Sequence, residues 1–179
     1  MNIEAIYIEQ YKGHTIDIFQ DEFNHESPDD WGNEDMFLVA YHRDFYVERD
    51  NFASRSICEV LAVRPEDRDE EDEYTRNKAE EIEKEYFIFP LEAYIHSGIH
   101  LSIGNEGNYP DRQWYVSCIG LIFIRKDEAE NQKDKAHIIA KGLLDTWNDY
   151  LSGNVYGYVI DGDGDSVWGY YGDYETSGI

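Results

Sequence analysis

The sequence predicts an α+β fold: a single domain over residues 1–179, in which one long amphipathic helix packs on an antiparallel β-sheet. Three observations lead to this class. Several short segments alternate apolar and polar residues, as half-buried strands do. Residues 134–153 instead repeat apolar residues every four positions, as an amphipathic helix does. Finally, a chain of 179 residues that is 41% hydrophobic and 15% aromatic is long and apolar enough to bury a substantial core.

The first elements are predicted as strands. The segments "IEAIYIEQ" and "TIDIFQ" alternate in polarity and flank a turn glycine, Gly13, so we predict a hairpin. The continuous apolar run "MFLVAYHR" at residues 36–43 predicts a buried strand. The side chains of the hairpin that we expect to face the core are Ile3, Ile6, Ile8, Ile16 and Ile18.

The middle of the chain is predicted as helical and highly charged. The segment "NFASRSICEVLAV" places apolar residues at near-helical spacing over residues 51–63. Residues 64–85 then hold eleven acidic and five basic residues, and they lack a broad apolar face before Ile82. We therefore predict a solvated loop followed by a charged helix over about residues 74–86, which together form an insertion at about residues 64–86.

The remaining segments return to strand patterns, interrupted by the long helix. "YFIFPLEAYIHSGIHLSIG" predicts two strands joined by a turn at Ser97–Gly98, and "QWYVSCIGLIFIRK" predicts a third strand. Two closing strands are predicted at Val155–Ile160 and Ser166–Tyr171. The apolar stripe of the helix at residues 134–153 is predicted to contain Ile139, Leu143, Trp147 and Leu151.

The segment "DGDGD" supplies the strongest candidates for a metal site, Asp161, Asp163 and Asp165. These residues fill positions 1, 3 and 5 of an EF-hand calcium loop. However, Ser166 stands where the loop needs glycine, and Gly172 stands where it needs glutamate. Asp-Gly between two alternating apolar runs is instead typical of a hairpin tip. We therefore predict a hairpin tip without a metal or cofactor, with a weak Ca²⁺ or Mg²⁺ contact as the alternative.

The segment "HSGIH" spaces His96 and His100 four residues apart, which on a helix would place two metal ligands on one face. Because the glycine and the strand-like flanks argue against a helix, we predict two polar positions on paired strands. Ser97 follows His96 but lies in no nucleophile-elbow motif. The chain also has no glycine-rich phosphate loop. These motifs therefore predict no catalytic residue.

Charge is the most unusual property of the chain, since 39 acidic residues outnumber 15 basic ones and give a net charge of −24. Residues 1–42 contain one basic residue, Lys12, and residues 142–179 contain none. Phosphate contacts supply most of the affinity for nucleic acids, so direct nucleic-acid binding is not expected. The start "MNIEAIYIEQ" lacks the features of a signal peptide, no apolar run is long enough to span a membrane, and Cys58 and Cys118 show no metal-type spacing. We therefore predict a cytoplasmic protein.

The same charge favours a role in binding. Carboxylates spread over one surface resemble the phosphates of a nucleic acid, so they would steer a basic protein towards the chain and occupy its groove. An acidic skin that serves only solubility is the alternative. The partner-binding residues are predicted to be Asp29, Asp30, Glu66, Asp67, Asp69, Glu70, Glu71, Asp72, Glu73, Asp161, Asp163 and Asp165.

Five segments give the chain a resemblance to a known group of proteins. "SPDDWGN", "YHR", "YIHSGIHLS", "LSGNVYGYVI" and "WGYYGD" resemble, in the same order, the recurring blocks of a family of small uncharacterised proteins of phages, prophages and related mobile elements. The match spans most of the chain but departs from the family at residues 60–86 and between Asn105 and Trp114. The resemblance implies no activity. It implies an accessory gene of a mobile element and, through that context, an anti-defence role.

Together these observations predict a non-enzymatic acidic binding protein of a phage or mobile element. It would mimic nucleic acid and occupy a basic groove of a host nuclease complex, as an anti-CRISPR or anti-restriction inhibitor in the host cytoplasm. Two alternatives remain open. One is a small hydrolase that uses carboxylates, with or without Mg²⁺, and the other is an accessory protein that is acidic only for solubility.

Overall fold

A computed structural model describes residues 4–22, 26–49, 52–68, 72–162 and 164–173 of the chain. It confirms the predicted α+β class, because helices accompany two antiparallel sheets. The chain divides into two compact units: unit 1 comprises Met1–Trp31 and Asp145–Ile179, and unit 2 comprises Gly32–Leu144. None of the described helices is long and apolar enough to cross a membrane.

The described residues form nine β-strands and four α-helices. Two short 3₁₀ turns at Pro65–Asp67 and Gly104–Glu106 complete them. In chain order, the elements are β1 Tyr7–Tyr11, β2 His14–Gln20, β3 Met36–His42, β4 Phe45–Val47, α1 Arg55–Leu61, α2 Glu73–Glu85, β5 Tyr86–Ile95, β6 Ile99–Ile103, α3 Arg112–Tyr115, β7 Val116–Arg125, α4 Lys133–Ser152, β8 Val155–Ile160 and β9 Ser166–Tyr171.

Unit 1 contains a four-stranded antiparallel sheet in the order β1-β2-β8-β9. The predicted N-terminal hairpin is confirmed, and its turn places Lys12 and Gly13 at φ 51° and 88°. Two successive positive φ angles are what a two-residue hairpin turn of type I′ requires. The sequence-based core assignment is wrong for Ile6 and Ile8, which are 47% and 58% exposed, because Ile8 lies on β1, an edge strand of this sheet, and Ile6 lies directly before it. Ile3, also assigned to the core, lies outside the described residues.

Three tryptophans pack within unit 1. Trp147 is buried in α4, and Trp31 meets the ring of Tyr171 edge-on, with 5.0 Å between the centroids. Trp168 on β9 lies across the neighbouring strand at Gly157, where an added Cβ would come within 2.3 Å of the indole. Only glycine at position 157 therefore leaves room for the indole in this position.

Unit 2 contains a five-stranded antiparallel sheet in the order β4-β3-β7-β5-β6. The predicted hairpin of residues 92–103 is confirmed by the pairing of β5 with β6. The strand predicted from Gln113 begins only at Val116, because residues 112–115 form α3. At Gly120, in the middle of β7, an added Cβ would lie 1.9 Å from the carbonyl oxygen of Val39 on β3.

Helices α1 and α2 cover one face of the unit 2 sheet. The helix predicted over about residues 74–86 is confirmed as α2, which contributes Ala79 and Ile82 to the core. The centre of this core is a group of four contacting rings, in which Phe37 stacks on Phe123 at 5.1 Å while two other rings meet it edge-on. The four rings are those of Phe37, Phe52, Tyr86 and Phe123.

Helix α4 forms where the apolar repeat predicts it, but a different line of residues is buried. Ile139, Leu143 and Leu151 are half-buried, and of the predicted stripe only Trp147 is fully buried. Alanine carries a weak hydrophobic signal in the sequence, yet Ala136 and Ala140 are fully buried. The buried line consists of Ala136, Ala140, Leu144 and Trp147.

Candidate acidic interaction surface

The structure describes four residues of the acidic run of unit 2, two before and two after residues 69–71. Glu66 and Asp67 belong to the 3₁₀ turn Pro65–Asp67, and both are exposed. Asp72 and Glu73 start α2 and are also exposed. The structure thus holds four of the predicted partner-binding carboxylates at the surface. Asp69, Glu70 and Glu71, also predicted for this surface, lie outside the described residues.

Asp72 has a structural role in addition to its charge. Its carboxylate accepts hydrogen bonds from the backbone N–H of Thr75 at 3.0 Å and from the Thr75 hydroxyl at 2.6 Å. These bonds cap the N-terminus of α2, whose first N–H groups have no partner within the helix. The same bonds from Thr75 hold the pKa of Asp72 below its ordinary value. Asp72 is therefore charged over a wide pH range and fixed in position.

Arg68 is the basic counterpart of this acidic run and is only 5% exposed. Its guanidinium donates to both carboxylate oxygens of Glu83, at 2.7 and 3.1 Å, and to the carbonyl of Val63 at 2.9 and 3.1 Å. A planar fork of donors suits this two-pronged arrangement. Arg68 is buried and paired with Glu83, whereas Glu66, Asp67, Asp72 and Glu73 are exposed, so Arg68 offsets little of the negative charge that these four residues present. Sequence reasoning missed this pair.

The acidic turn of unit 1 places Asp29 and Asp30 directly after Pro28. The carboxylate of Asp30 accepts hydrogen bonds from the backbone N–H of Ser27 at 2.6 Å and from its hydroxyl at 3.0 Å. The two bonds connect the end of this turn to its start and hold the Asp30 carboxylate in place. Asp30 is exposed and Asp29 is half-buried, so the turn fixes both carboxylates near the surface.

The segment "DGDGD" forms the predicted hairpin tip, since β8 pairs with β9 on either side of it. Asp161 and Gly162 have positive φ angles of 51° and 80°. Asp161 Oδ2 lies 2.8 Å from His14 Nδ1, and Asp161 Oδ1 accepts the backbone N–H of Thr15 at 2.9 Å. The bond from His14, followed by that from Thr15, lowers the pKa of Asp161. This carboxylate is therefore committed to contacts within the protein.

A metal site at this tip has little support from the described residues. Both oxygens of Asp161 are occupied, Asp165 is exposed, and Asp163 lies outside the described residues. Within the described part of the chain, no group of three His, Cys, Asp or Glu side chains has the arrangement that could hold a metal ion. The aspartates of the tip are thus better placed to contribute charge than to coordinate a cation.

The two histidines of "HSGIH" lie at the end of the β5–β6 hairpin but have different partners. His100 Nδ1 lies 2.8 Å from the hydroxyl of Tyr109. His96 instead stacks parallel to Tyr94 and meets the ring of Tyr115 edge-on. Their surroundings are aromatic, which sequence reasoning missed because Tyr109 and Tyr115 come from a separate stretch of the chain. Neither histidine contacts a nucleophile in these interactions.

The distribution of charge differs between the two units. Unit 1 contains fifteen acidic residues and one basic residue, Lys12, which gives a net charge of −14. Unit 2 contains the other 24 acidic and 14 basic residues, a net charge of −10. No Asp or Glu among the described residues is buried. The acidic side chains that the structure describes are therefore accessible to solvent in both units.

Comparisons with protein-family models, curated proteins and solved structures gave no match to this chain.

Proposed function

We propose that this protein is a non-enzymatic binding protein of a phage or mobile element that mimics nucleic acid and blocks a basic groove of a host nuclease or defence complex. An anti-CRISPR or anti-restriction inhibitor in the host cytoplasm fits this description. The observation that carries the proposal is the net charge of −24, combined with the absence of any buried Asp or Glu among the described residues. Such a field accelerates encounter with a basic partner.

The backbone that carries the acids supports the proposal further. Asp30, Asp72 and Asp161 are held by hydrogen bonds to backbone N–H groups, so their carboxylates have fixed positions before any partner arrives. Fixed groups lose less conformational entropy on binding than the same groups in a flexible tail. Carboxylates whose positions are fixed in advance within each unit are what a surface that replaces a nucleic-acid backbone needs.

Not every acidic residue is suitable for a test, because capping aspartates also maintain local structure. Within the described part of the chain, the side chains of four predicted residues form no hydrogen bond or ion pair, so their charges can be removed with the least effect on the fold. A charge-removal variant would therefore combine Glu66→Gln, Asp67→Asn, Glu73→Gln and Asp165→Asn. A charge-preserving control would combine Glu66→Asp and Glu73→Asp.

The experiment is a capture from bacterial lysate at about 50 and 200 mM salt, followed by measurement of the affinity for each captured protein. We expect a nucleic-acid-binding partner that duplex DNA or RNA displaces, with an affinity that falls steeply between the two salt concentrations. The charge-removal variant should bind more weakly and with a smaller salt dependence than the charge-preserving control. An affinity that is flat across this range, or a partner that nucleic acid does not displace, would contradict the proposal.

A further inference from the structure

An exposed aromatic cluster lies in unit 2, where the β5–β6 hairpin ends beside α3. We define it as the aromatic patch, consisting of the contacting rings of Tyr94, His96, Tyr109 and Tyr115 together with Trp114, which precedes Tyr115 on α3. Trp114 is 76% exposed, and His96 and Tyr115 are exposed as well. Tryptophan is normally among the most deeply buried residues on average, so a side chain this open contributes little to folding. Its surface is available to a partner.

Three rings of the aromatic patch are nearly parallel. Tyr94 stacks on Tyr109 with 4.9 Å between the centroids and 9° between the planes. The ring of His96, directly after the end of β5, lies parallel to that of Tyr94, with 6.2 Å between the centroids and 7° between the planes. Tyr115 meets His96 edge-on at 4.5 Å. The patch thus presents ordered ring faces and edges instead of a loose group of side chains.

Polar contacts fix the segment that carries Tyr109 over the sheet. The guanidinium of Arg112 donates to the carboxylate of Glu92, to the carbonyl of Gly107 and to the side chain of Asn105. An added Cβ at Gly107 would lie 2.0 Å from the ring of Tyr109, so this position requires glycine. The rings of Tyr109 and its stacking partner Tyr94 are therefore held in place before binding, which lowers the entropy that a complex would lose.

The charge around the aromatic patch favours a cationic ligand. Residues 92–115 contain three acids and one base: Arg112 pairs with Glu92, Glu106 pairs with His137 and Lys141 of α4, and Asp111 is the one acid of this segment outside an ion pair among the described residues. The faces of aromatic rings carry partial negative charge and attract guanidinium and ammonium groups. The net charge of −24 repels phosphate at longer range. A nucleobase could stack on these rings, but its phosphates would oppose the approach.

We propose that the aromatic patch is a docking site for arginine side chains of a basic protein partner. The guanidinium planes would stack on Trp114 and on the exposed ring of His96, in the way that arginine stacks on bases in a nucleic-acid complex. This inference rests on the proposed function, since it names how the basic partner is held once charge has attracted it. Tryptophan, tyrosine and arginine are also the residues most enriched at the energetic centres of protein interfaces.

The test uses a fluorescently labelled nona-arginine peptide as the probe, with nona-lysine for comparison. Replacing Trp114 by Ala should weaken nona-arginine binding about fivefold, as expected for the loss of one cation–π contact. The matched control is Tyr74→Ala, because Tyr74 is 74% exposed on α2 but lies outside the aromatic patch. This control should leave the affinity unchanged. Both variants should keep the wild-type unfolding temperature.

The outcomes separate this inference from the proposed function. If Trp114→Ala and Tyr74→Ala bind nona-arginine equally well, or if the wild-type protein does not bind the peptide, the aromatic patch is not an arginine site. If Trp114→Ala weakens the binding of single-stranded oligo(dT) and not of nona-arginine, the patch binds nucleobases and the inference is also overturned. A Trp114-dependent affinity that is flat in salt would support the patch while contradicting charge mimicry. Preference for nona-arginine over nona-lysine supports stacking.

Discussion

His14 Nδ1 and Asp161 Oδ2 lie 2.8 Å apart, so that a hydrogen bond joins the turn of one hairpin to the tip of another within unit 1. The backbone repeats the connection, because Asp161 N–H donates to the carbonyl of Thr15 and Thr15 N–H donates to Asp161 Oδ1. Asp161, one of the three candidate metal ligands in the sequence, therefore holds the two turns together. This arrangement has a measurable dependence on pH.

Replacing His14 by Ala should raise the pKa of Asp161 towards its ordinary value, because His14 is the largest cause of the lowered pKa. A carboxyl group whose pKa is lowered by folding stabilises the fold above its unfolded pKa, and this contribution disappears as pH falls through the folded value. The contact should therefore persist at neutral pH and be lost in acid, below about pH 4. Carboxyl NMR titration of wild type and variant tests this, with Asp165→Asn as the control that leaves the Asp161 titration unchanged.

Replacement by alanine should change the stability of the protein in opposite directions at Gly120 and Gly142. In Gly120→Ala the new Cβ would meet the backbone oxygen of Val39 at 1.9 Å, so we expect a loss of stability of about 2–3 kcal/mol. In Gly142→Ala the new Cβ meets nothing within 4 Å on α4, so helix propensity should raise stability by about 0.5–1 kcal/mol. Urea unfolding measures both. Equal effects of the two substitutions would show that β3 and β7 are not this close.

Replacing Arg68 by lysine should destabilise the protein, although the positive charge is retained. An ammonium group cannot donate at once to both oxygens of Glu83 and to the carbonyl of Val63 in the geometry of the guanidinium fork. We expect Arg68→Lys to lower the free energy of unfolding by about 1–3 kcal/mol. The matched control is Arg76→Lys on α2, a half-buried position at which the change should remain within about 0.5 kcal/mol. A similar small effect at both positions would contradict the proposed role of Arg68.

The two cysteines should differ in reactivity. Cys58 is buried, and burial raises its pKa to about 11, whereas Cys118 is exposed. Since the thiolate is the reactive form, Ellman's reagent at about pH 8 should label one thiol per native chain and two per denatured chain. Cys118→Ser should abolish the native reaction and Cys58→Ser should preserve it. Labelling of two thiols in the native protein would exclude the burial of Cys58.

The helices and strands with a regular spacing of apolar residues, or with a clear turn signal, could be predicted from the sequence. The turn at Gly13, the apolar run of β3, the β5–β6 hairpin and helix α4 all follow from local patterns. Burial could not be predicted equally well, because it depends on which strand lies at a sheet edge. Ile6 and Ile8 have the alternation of a core strand, but Ile8 lies on the edge strand β1 and Ile6 lies directly before it.

The acidic residues of the candidate site could be identified from the sequence, but the contacts of their side chains could not. The sequence indicates that Asp72 and Asp161 are acidic, but Thr75 and His14 decide what their carboxylates contact. The pairing of Arg68 with Glu83 joins residues fifteen positions apart and has no local signature. The aromatic patch likewise depends on the fold, since α3 and the loop before it place their rings beside β5.

Because the tryptophans are divided between the two units, their fluorescence can show whether the units unfold cooperatively. Trp31, Trp147 and Trp168 belong to unit 1, while Trp114 belongs to unit 2. In a Trp114→Phe variant, indole emission therefore reports on unit 1 alone, while a protein that keeps only Trp114 reports on unit 2. Coincident denaturation curves for the two proteins would identify one cooperative folding unit, whereas separated curves would show that the units melt independently.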